Sequence, residues 1–206
     1  MAKDNKESEI EKLKAENERL KRELKKKKKY GLVWEEKPEE VVEMCKKKLP
    51  VLKEVKNKEI ITDKNKPVNL LIEGDNYHAL SVLNYTHAKK VDVIYIDPPY
   101  NTGARNWKYN NNYVDIEDSF RHSKWLSFME KRLLLAKNLL KNIGIICITI
   151  DENEQAQLKL LCDEIFGENN YLGTVCIRNN PSGRTRKSEI SLQHEYAIFY
   201  SKNKNQ

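Results

Sequence analysis

Long apolar runs, paired cysteines and glycines are all scarce in this 206-residue sequence. No apolar run approaches the length that spans a bilayer, and the hydrophilic N-terminus lacks the apolar core of a signal peptide. We therefore expect a cytoplasmic protein with no membrane partner. The four cysteines form no CxxC pair, which indicates buried free thiols and no disulfide or metal site.

The net charge of +7 is concentrated in the N-terminal tail. Residues 1–29 hold 12 Lys or Arg against 7 Asp or Glu, whereas the rest of the chain is close to balanced at 26 against 24. A second basic cluster lies in the stretch RNNPSGRTRK, whose Pro, Ser and Gly predict a loop able to reach DNA phosphates. A plain solvated loop is the alternative. The basic residues of this cluster are Arg178, Arg184, Arg186 and Lys187.

The tail carries apolar residues at heptad spacing, with one asparagine among them. These residues are Ile10, Leu13, Asn17, Leu20 and Leu24. The pattern predicts a coiled-coil helix over residues 1–29, in which residues 8–26 pair with a second copy of the chain or with a partner helix. A solvated amphipathic helix is the alternative. Residues 30–67 follow as a helical connector, because Pro38 suits a first helical turn and Pro50 ends or interrupts a helix.

From residue 68 onward, short apolar runs alternate with segments of helical periodicity. The predicted strands are 68–75, 91–97, 143–151, 171–178 and 194–202, and the predicted helices are 76–88, 124–142 and 152–167. Apolar strands separated by helices favour an α/β fold with a doubly wound, mostly parallel sheet. Ligands of such sheets bind beyond the carboxyl ends of the strands. The tetrapeptide DPPY, residues 97–100, lies at one of these ends.

The DPPY tetrapeptide ends its strand abruptly. Neither proline can donate to a sheet ladder, and the residue before each proline is held extended. The segment therefore presents the Asp97 carboxylate, the Pro98 carbonyl and the Tyr100 ring from one stiff protrusion. Two acceptors beside an aromatic plane suit a flat ligand that bears an NH2 group, such as a nucleobase. The alternative is a turn in which Asp97 is an ordinary turn residue and Tyr100 covers the core edge.

The stretch VNLLIEGDNYHALSVLNYTHAKKVDVIYIDPPYNTG resembles the catalytic region of DNA adenine N6-methyltransferases of the β (permuted) order. It is most similar to the modification (Mod) subunits of type III restriction-modification systems, and the resemblance extends to residues 28–55 and 150–180. It implies an S-adenosylmethionine-dependent methyltransferase-like fold and methyl transfer to an adenine that is flipped out of double-stranded DNA. A restriction subunit is the implied protein partner.

The resemblance places roles on the DPPY residues and their neighbours. Asp97 and the Pro98 carbonyl would accept hydrogen bonds from the adenine amino group, Pro99 belongs to the same catalytic tetrapeptide, and Tyr100 would stack on the base. Acceptors on both amino hydrogens favour a pyramidal nitrogen that can attack a methyl sulfonium in line. In the resemblance, a Ser at position 97 would favour cytosine N4 as the target. The Asp found there favours adenine.

Further roles implied by the resemblance concern the cofactor and DNA. Asp75, with Gly74 and Asn76, would lie at the adenine end of S-adenosylmethionine; an N-cap on the following helix is an equally good role for Asp75. Asn101 and Lys108 would lie on the DNA side of the catalytic loop.

The sequence also departs from the family pattern. No FxGxG cofactor turn occurs in the 206 residues, and the target-recognition region of the family would come later than the last strand. We therefore expect residues 68–206 to be the DPPY-containing part of a methyltransferase domain that binds S-adenosylmethionine weakly or not at all by itself. The alternative function is a truncated, catalytically silent remnant that interacts with a partner through its coiled coil.

Overall fold

The computed structural model describes residues 13, 16, 17, 34, 38–60, 63, 65–102, 120–179 and 193–205. The chain divides into two units, Met1–Val33 and Trp34–Gln206. In the first unit, the three described residues are helical and exposed. The rest of the predicted coiled coil lies outside the described residues, so pairing through residues 8–26 stays a prediction.

The second unit is built from four helices and four strands in its described part. The helices are α1 (Glu40–Lys47), α2 (Asn76–Thr86), α3 (Arg121–Leu139) and α4 (Gln155–Phe166), and the strands are β1 (Val91–Ile96), β2 (Leu140–Ile150), β3 (Tyr171–Arg178) and β4 (His194–Ser201). Two short 3-10 turns cover Lys56–Lys58 and Glu168–Asn170. The predicted α/β class is confirmed.

The described strands form one mixed sheet in the order β1-β2-β4-β3. Only β1 and β2 are parallel, while β4 is antiparallel to both β2 and β3. The prediction of a mostly parallel sheet is therefore wrong for the described strands. The physical reason is the connection: helix α3 crosses over between β1 and β2, whereas the sequence between β3 and β4 has no helical periodicity, and antiparallel neighbours need no crossover helix.

Strand β2 is one of the two inner strands of the described sheet. Its residues 146–150 are all buried, so both faces of the strand are covered. Gly144 allows β2 to approach β1, because an added Cβ would lie 3.0 Å from the Val91 carbonyl oxygen. Helices α3 and α4 pack together and supply much of the remaining core. Fully buried helix residues include Trp125, Leu126, Leu133, Leu158, Leu161 and Cys162.

Strand β1 lies at one edge of the described sheet and exposes large apolar side chains. Val93 is 63% exposed and Tyr95 is 65% exposed. Residues 68–75, which the sequence predicts as a buried strand, pair with no strand of the described sheet, and Leu71 is 99% exposed. The sequence also leads us to expect that residues 68–75 have no strand to pair with and that the edge of β1 is open, which agrees with the described sheet. The residues are not buried and form no strand there, because an apolar run indicates only a preference for burial.

A buried ion pair holds α1 against α3. Arg132 on α3 donates from Nη1 to Oε2 of Glu39 at 2.9 Å, and both side chains are less than a tenth exposed. Glu39 is the residue that precedes α1, and its backbone carbonyl accepts the first hydrogen bonds of that helix. The described part of the predicted connector is thus helical over α1 and largely irregular after it.

The described residues contain neither a membrane span nor a metal cluster. None of the described helices combines the length and the apolar character that crossing a bilayer requires. Within the same ranges, no three His, Cys, Asp or Glu side chains are grouped to hold a metal ion. All four cysteines are free; Cys147 and Cys162 are buried, whereas Cys176 is exposed.

Candidate active site

The DPPY segment follows the carboxyl end of β1, beside the carboxyl end of β2. Ile96 pairs with Ile148 in the parallel ladder, so the next residues of the two strands, Asp97 and Thr149, are neighbours. The Thr149 hydroxyl lies 2.8 Å from Oδ1 of Asp97 and 3.3 Å from the Ile96 carbonyl oxygen. The Asp97 side chain is exposed, whereas Thr149 is buried. A buried hydroxyl therefore orients a carboxylate that faces outward.

The two proline carbonyls differ in their surroundings. The indole Nε1 of Trp125, a fully buried residue of α3, donates to the Pro99 carbonyl at 2.6 Å. No group in the described part of the chain donates to the Pro98 carbonyl. Trp125 thus anchors the segment through Pro99, while the Pro98 carbonyl retains its acceptor capacity. This arrangement suits the acceptor role expected of Pro98.

Tyr100 is half-buried beside this acceptor pair. Burial raises the pKa of the Tyr100 phenol above its ordinary value; hydrogen bonding by Thr149 opposes this shift, whereas the Asp97 carboxylate adds to it. The phenol is neutral at physiological pH. Tyr100 can therefore offer a neutral aromatic surface next to the Asp97 carboxylate.

Asn101 follows the tetrapeptide with a left-handed backbone, at a φ of 59°. Asparagine is one of the few residues other than glycine that adopt this conformation readily. Its side chain is 5% exposed, and its amide donates to Glu154 Oε1 at 2.5 Å and to the Arg121 carbonyl at 3.4 Å. The DNA contact expected of Asn101 is not supported by this placement, which favours a role in holding the loop from inside.

Glu154 is a fully buried carboxylate directly before α4. Its Oε1 also lies 2.7 Å from Nδ1 of His122 at the start of α3. Burial raises the pKa of Glu154, although its hydrogen bond to Asn101 and the neighbouring His122 and Arg121 lower it. Within the part of the chain that the structure describes, Oε2 has no hydrogen-bond partner.

Asp75 is the N-cap of α2. Its Oδ1 accepts from the Tyr77 backbone N–H at 2.7 Å, and Nη2 of Arg132 lies 3.8 Å from the same oxygen. The capping role that the sequence allows is therefore observed. Gly74 has a φ of 154°, and a Cβ added there would meet nothing within 4 Å. Asn76 is the first residue of α2, so the three residues expected at the cofactor lie together.

The expected DNA-contacting residues fall in different regions. Arg178 is the last residue of β3, where it is exposed and pairs in register with His194. Lys108, Arg184, Arg186 and Lys187 lie outside the described residues. Their assignment to DNA stays a prediction.

Four residues around the segment were not singled out by the sequence reasoning. Trp125 and Thr149 contact the segment itself, Glu154 contacts Asn101 after it, and His122 contacts Glu154. These contacts form only because α3, β2 and the start of α4 meet at the end of β1. A weak signal exists for two of them: Thr149 is a polar residue near the end of an apolar strand, and Glu154 follows that same strand.

Comparison with known proteins places this site in a family. Residues 91–206 match the family model N6_N4_Mtase, described as DNA methylase. The chain belongs to this DNA methylase family. The resemblance read from the sequence is thereby confirmed.

This DNA methylase chain is similar to much longer curated proteins. It is 40% identical over 161 residues to the type III restriction-modification enzyme EcoP15I Mod subunit of Escherichia coli, a match that covers 67% of this chain and 25% of that protein. It is 42% identical over 130 residues to the type II methyltransferase M.KpnI of Klebsiella pneumoniae, covering 63% and 31%. The chain thus spans about a quarter to a third of the length of these relatives.

A solved structure with which the chain superposes in part is PvuII DNA methyltransferase, which is cytosine-N4-specific. The TM-score is 0.45 at 14% identity, with 61% of this chain and 47% of that chain covered.

Proposed function

We propose that this chain carries the base-binding part of a site-specific DNA methyltransferase that methylates adenine at N6, as the modification component of a restriction-modification system. The observation that carries the proposal is the exposed Asp97 carboxylate, oriented by Thr149 beside a Pro98 carbonyl to which no described group donates. The Mod subunits and M.KpnI, named as restriction-modification enzymes and a methyltransferase, support the same reading.

The chemistry follows from the two acceptors. The lone pair of an adenine N6 atom is delocalised into the ring, so the amine is a poor nucleophile. Asp97 and the Pro98 carbonyl each accept one amino hydrogen, which favours a pyramidal nitrogen with a directed lone pair. Tyr100 stacks on the flipped base and keeps it in the plane that the two acceptors require. Asp97 need not be a strong base, because the amine becomes acidic only as the methyl group arrives.

S-adenosylmethionine, when bound, supplies the electrophilic methyl group. Asp75 fits this cofactor, because Oδ1 is used by the Tyr77 N–H while no group in the described ranges donates to Oδ2. The second oxygen can therefore accept a hydrogen bond from the cofactor. The space beside Gly74 is open, because a Cβ added there would meet nothing within 4 Å.

The proposed partners are double-stranded DNA, a restriction subunit and a second copy of the chain. Arg178, with Arg184, Arg186, Lys187 and Lys108, would contact DNA phosphates. Pairing of two copies would use residues 8–26.

The test is to incubate the native protein that contains this chain with DNA and methyl-labelled S-adenosylmethionine, and to identify the labelled nucleoside after digestion. We expect N6-methyladenine, and an Asp97→Ala variant should lose roughly a hundredfold or more in rate. Labelled N4-methylcytosine would reassign the target base. Absence of label in DNA would refute the proposal and favour a catalytically silent interaction protein.

A further inference from the structure

Three side chains meet behind the DPPY segment: Asn101, which follows it; His122, at the start of α3; and Glu154, before α4. Oε1 of Glu154 accepts from the Asn101 amide at 2.5 Å and lies 2.7 Å from Nδ1 of His122. Asn101 and Glu154 are buried, so the bond between them is shielded from water. The Asn101 amide also donates to the Arg121 carbonyl at 3.4 Å, so it fastens the loop to both α3 and the start of α4.

The contacts of His122 define its tautomer. The Arg121 Nε–H donates to Nε2 of His122 at 3.2 Å, so that nitrogen is an acceptor. The ring proton then lies on Nδ1, which donates it to Glu154; the Gln157 side-chain nitrogen lies farther from Nδ1, at 3.4 Å. The Nδ1–H of His122 thus donates to Oε1 of Glu154. Among the described residues, the charged and titratable groups that act on the carboxylate include His122 and Arg121, both from α3.

We propose that Glu154 is a positioning residue for methyl transfer, which acts through Asn101 to hold the Asp97 carboxylate and the Pro98 carbonyl at the base. The inference rests on the proposed function and names a residue that supports its geometry. Asn101 adopts a left-handed φ of 59°, a conformation that persists only when the surroundings fix it. Two prolines make the intervening segment stiff, so an error at Asn101 is transmitted to both acceptors.

The placement of Glu154 is costly for the fold. A fully buried carboxylate with one oxygen unpartnered among the described residues destabilises a protein compared with a neutral side chain of the same shape. Groups kept in such positions are concentrated at functional sites. Trp125 holds Pro99 and Thr149 holds Asp97, and the bond from Asn101 to Glu154 holds the residue that follows the tetrapeptide.

The experiment exchanges the donor and the acceptor of the Asn101–Glu154 hydrogen bond in the native enzyme. In Glu154→Gln, the amide oxygen can take the place of Oε1, but the acceptor loses its charge and the NH2 occupies the site of Oε2, which has no described partner. In Asn101→Asp, two carboxylates face each other. In the double variant, the side-chain amide at position 154 can turn so that its oxygen accepts from His122 while its NH2 donates to the carboxylate at position 101. A donor then faces an acceptor at both contacts again.

We expect each single variant to lower kcat by roughly 10- to 100-fold with little change in KM for S-adenosylmethionine, because an error of about 1 Å at the acceptors has effects of this size. The double variant should recover to within roughly fivefold of the wild type, far above the product of the single losses. Glu164→Gln, an exposed glutamate of the same helix, is the matched control and should keep the wild-type kcat. Thermal unfolding of all variants identifies any that do not fold.

Two outcomes would overturn the inference: folded single variants with wild-type kcat, or a double variant no faster than the product of the singles. Asp97→Ala is assayed in parallel. An inactive Asp97→Ala with fully active Glu154→Gln and Asn101→Asp would refute the positioning role alone. An active Asp97→Ala would refute the proposed function itself, and the positioning role with it.

Discussion

The Thr149 hydroxyl lies 2.8 Å from the Asp97 carboxylate across the parallel pair of β1 and β2. One oxygen of the carboxylate is thereby oriented from inside the sheet, while the side chain stays exposed to a ligand. Asp97 is identified by the DPPY motif, whereas Thr149 lies outside that motif. The contact also makes β2, an inner strand of the sheet, part of the candidate active site.

Removing this hydroxyl should weaken methyl transfer without unfolding the protein. Thr149→Val keeps the shape of the side chain but cannot donate, so we expect kcat to fall roughly tenfold, the usual effect of losing a hydrogen bond to a charged group. Thr149→Ser retains the hydroxyl and is the matched control. Steady-state methylation of DNA by the native enzyme measures both. Equal loss in the Val and Ser variants would show that the methyl group, and not the hydroxyl, matters.

Tyr100 should contribute through its ring. Tyr100→Ala removes the stacking surface and should lower kcat/KM for DNA by roughly 10- to 100-fold, the range found when aromatic stacking on a base is lost. Tyr100→Phe keeps the ring and should stay within a few fold of the wild type. If Phe were as damaging as Ala, the hydroxyl near Asp97 and Thr149 would be the important group, and stacking would not explain the effect.

The buried Glu39–Arg132 pair should respond asymmetrically to substitution. Arg132→Met leaves the Glu39 carboxylate buried, with Nζ of Lys131 at 3.6 Å, and should lower the free energy of unfolding by about 3 kcal/mol. Replacing both residues by Met should recover most of that loss. Lys141→Met breaks the exposed pair with Asp92 and should change the free energy of unfolding by less than about 1 kcal/mol. Urea unfolding measures all three; a double variant no more stable than Arg132→Met would contradict the prediction.

The stability of the protein should depend on pH through Glu154. Because burial raises the pKa of Glu154 above its ordinary 4.5, the folded state favours the protonated carboxyl, and this contribution is lost as pH rises through the raised pKa. The melting temperature of Glu154→Gln should therefore increase relative to the wild type as pH rises from about 4.5, then level off. Calorimetry of both proteins across this range measures the difference in their melting temperatures, and the variant Glu164→Gln, at an exposed position, is scanned in parallel. A difference in melting temperature that does not change with pH would contradict the burial argument.

The tail should mediate association. We expect the intact chain to sediment as a larger species than a chain that begins at Tyr30, because the heptad residues between 8 and 26 need an apolar partner. The double variant Leu13→Glu/Leu20→Glu should also lower the mass of the sedimenting species. The control variant Lys14→Glu/Lys21→Glu leaves the apolar heptad residues unchanged and should not lower it. Identical monomeric masses for the intact and shortened chains would exclude association through the tail.

The features that the sequence predicted correctly depend on short-range physics. The end of β1 at Ile96 follows from two consecutive prolines, and β3 over Tyr171–Arg178 follows from a short run of strand-forming residues. Helix α2 begins after Asp75 because a carboxylate there caps the Tyr77 N–H. The DPPY tetrapeptide carries its chemistry in adjacent residues, so the family and the candidate catalytic residues could be inferred before any contact was known.

The remaining features depend on which elements meet, and this only the tertiary structure decided. Thr149 and Asp97 are 52 residues apart, Trp125 and Pro99 are 26 apart, and Glu154 and Asn101 are 53 apart. The antiparallel direction of β4 likewise follows from its neighbours. Periodicity reports whether a segment prefers to be buried, whereas hydrogen bonding between distant groups requires that the chain bring them to the same place.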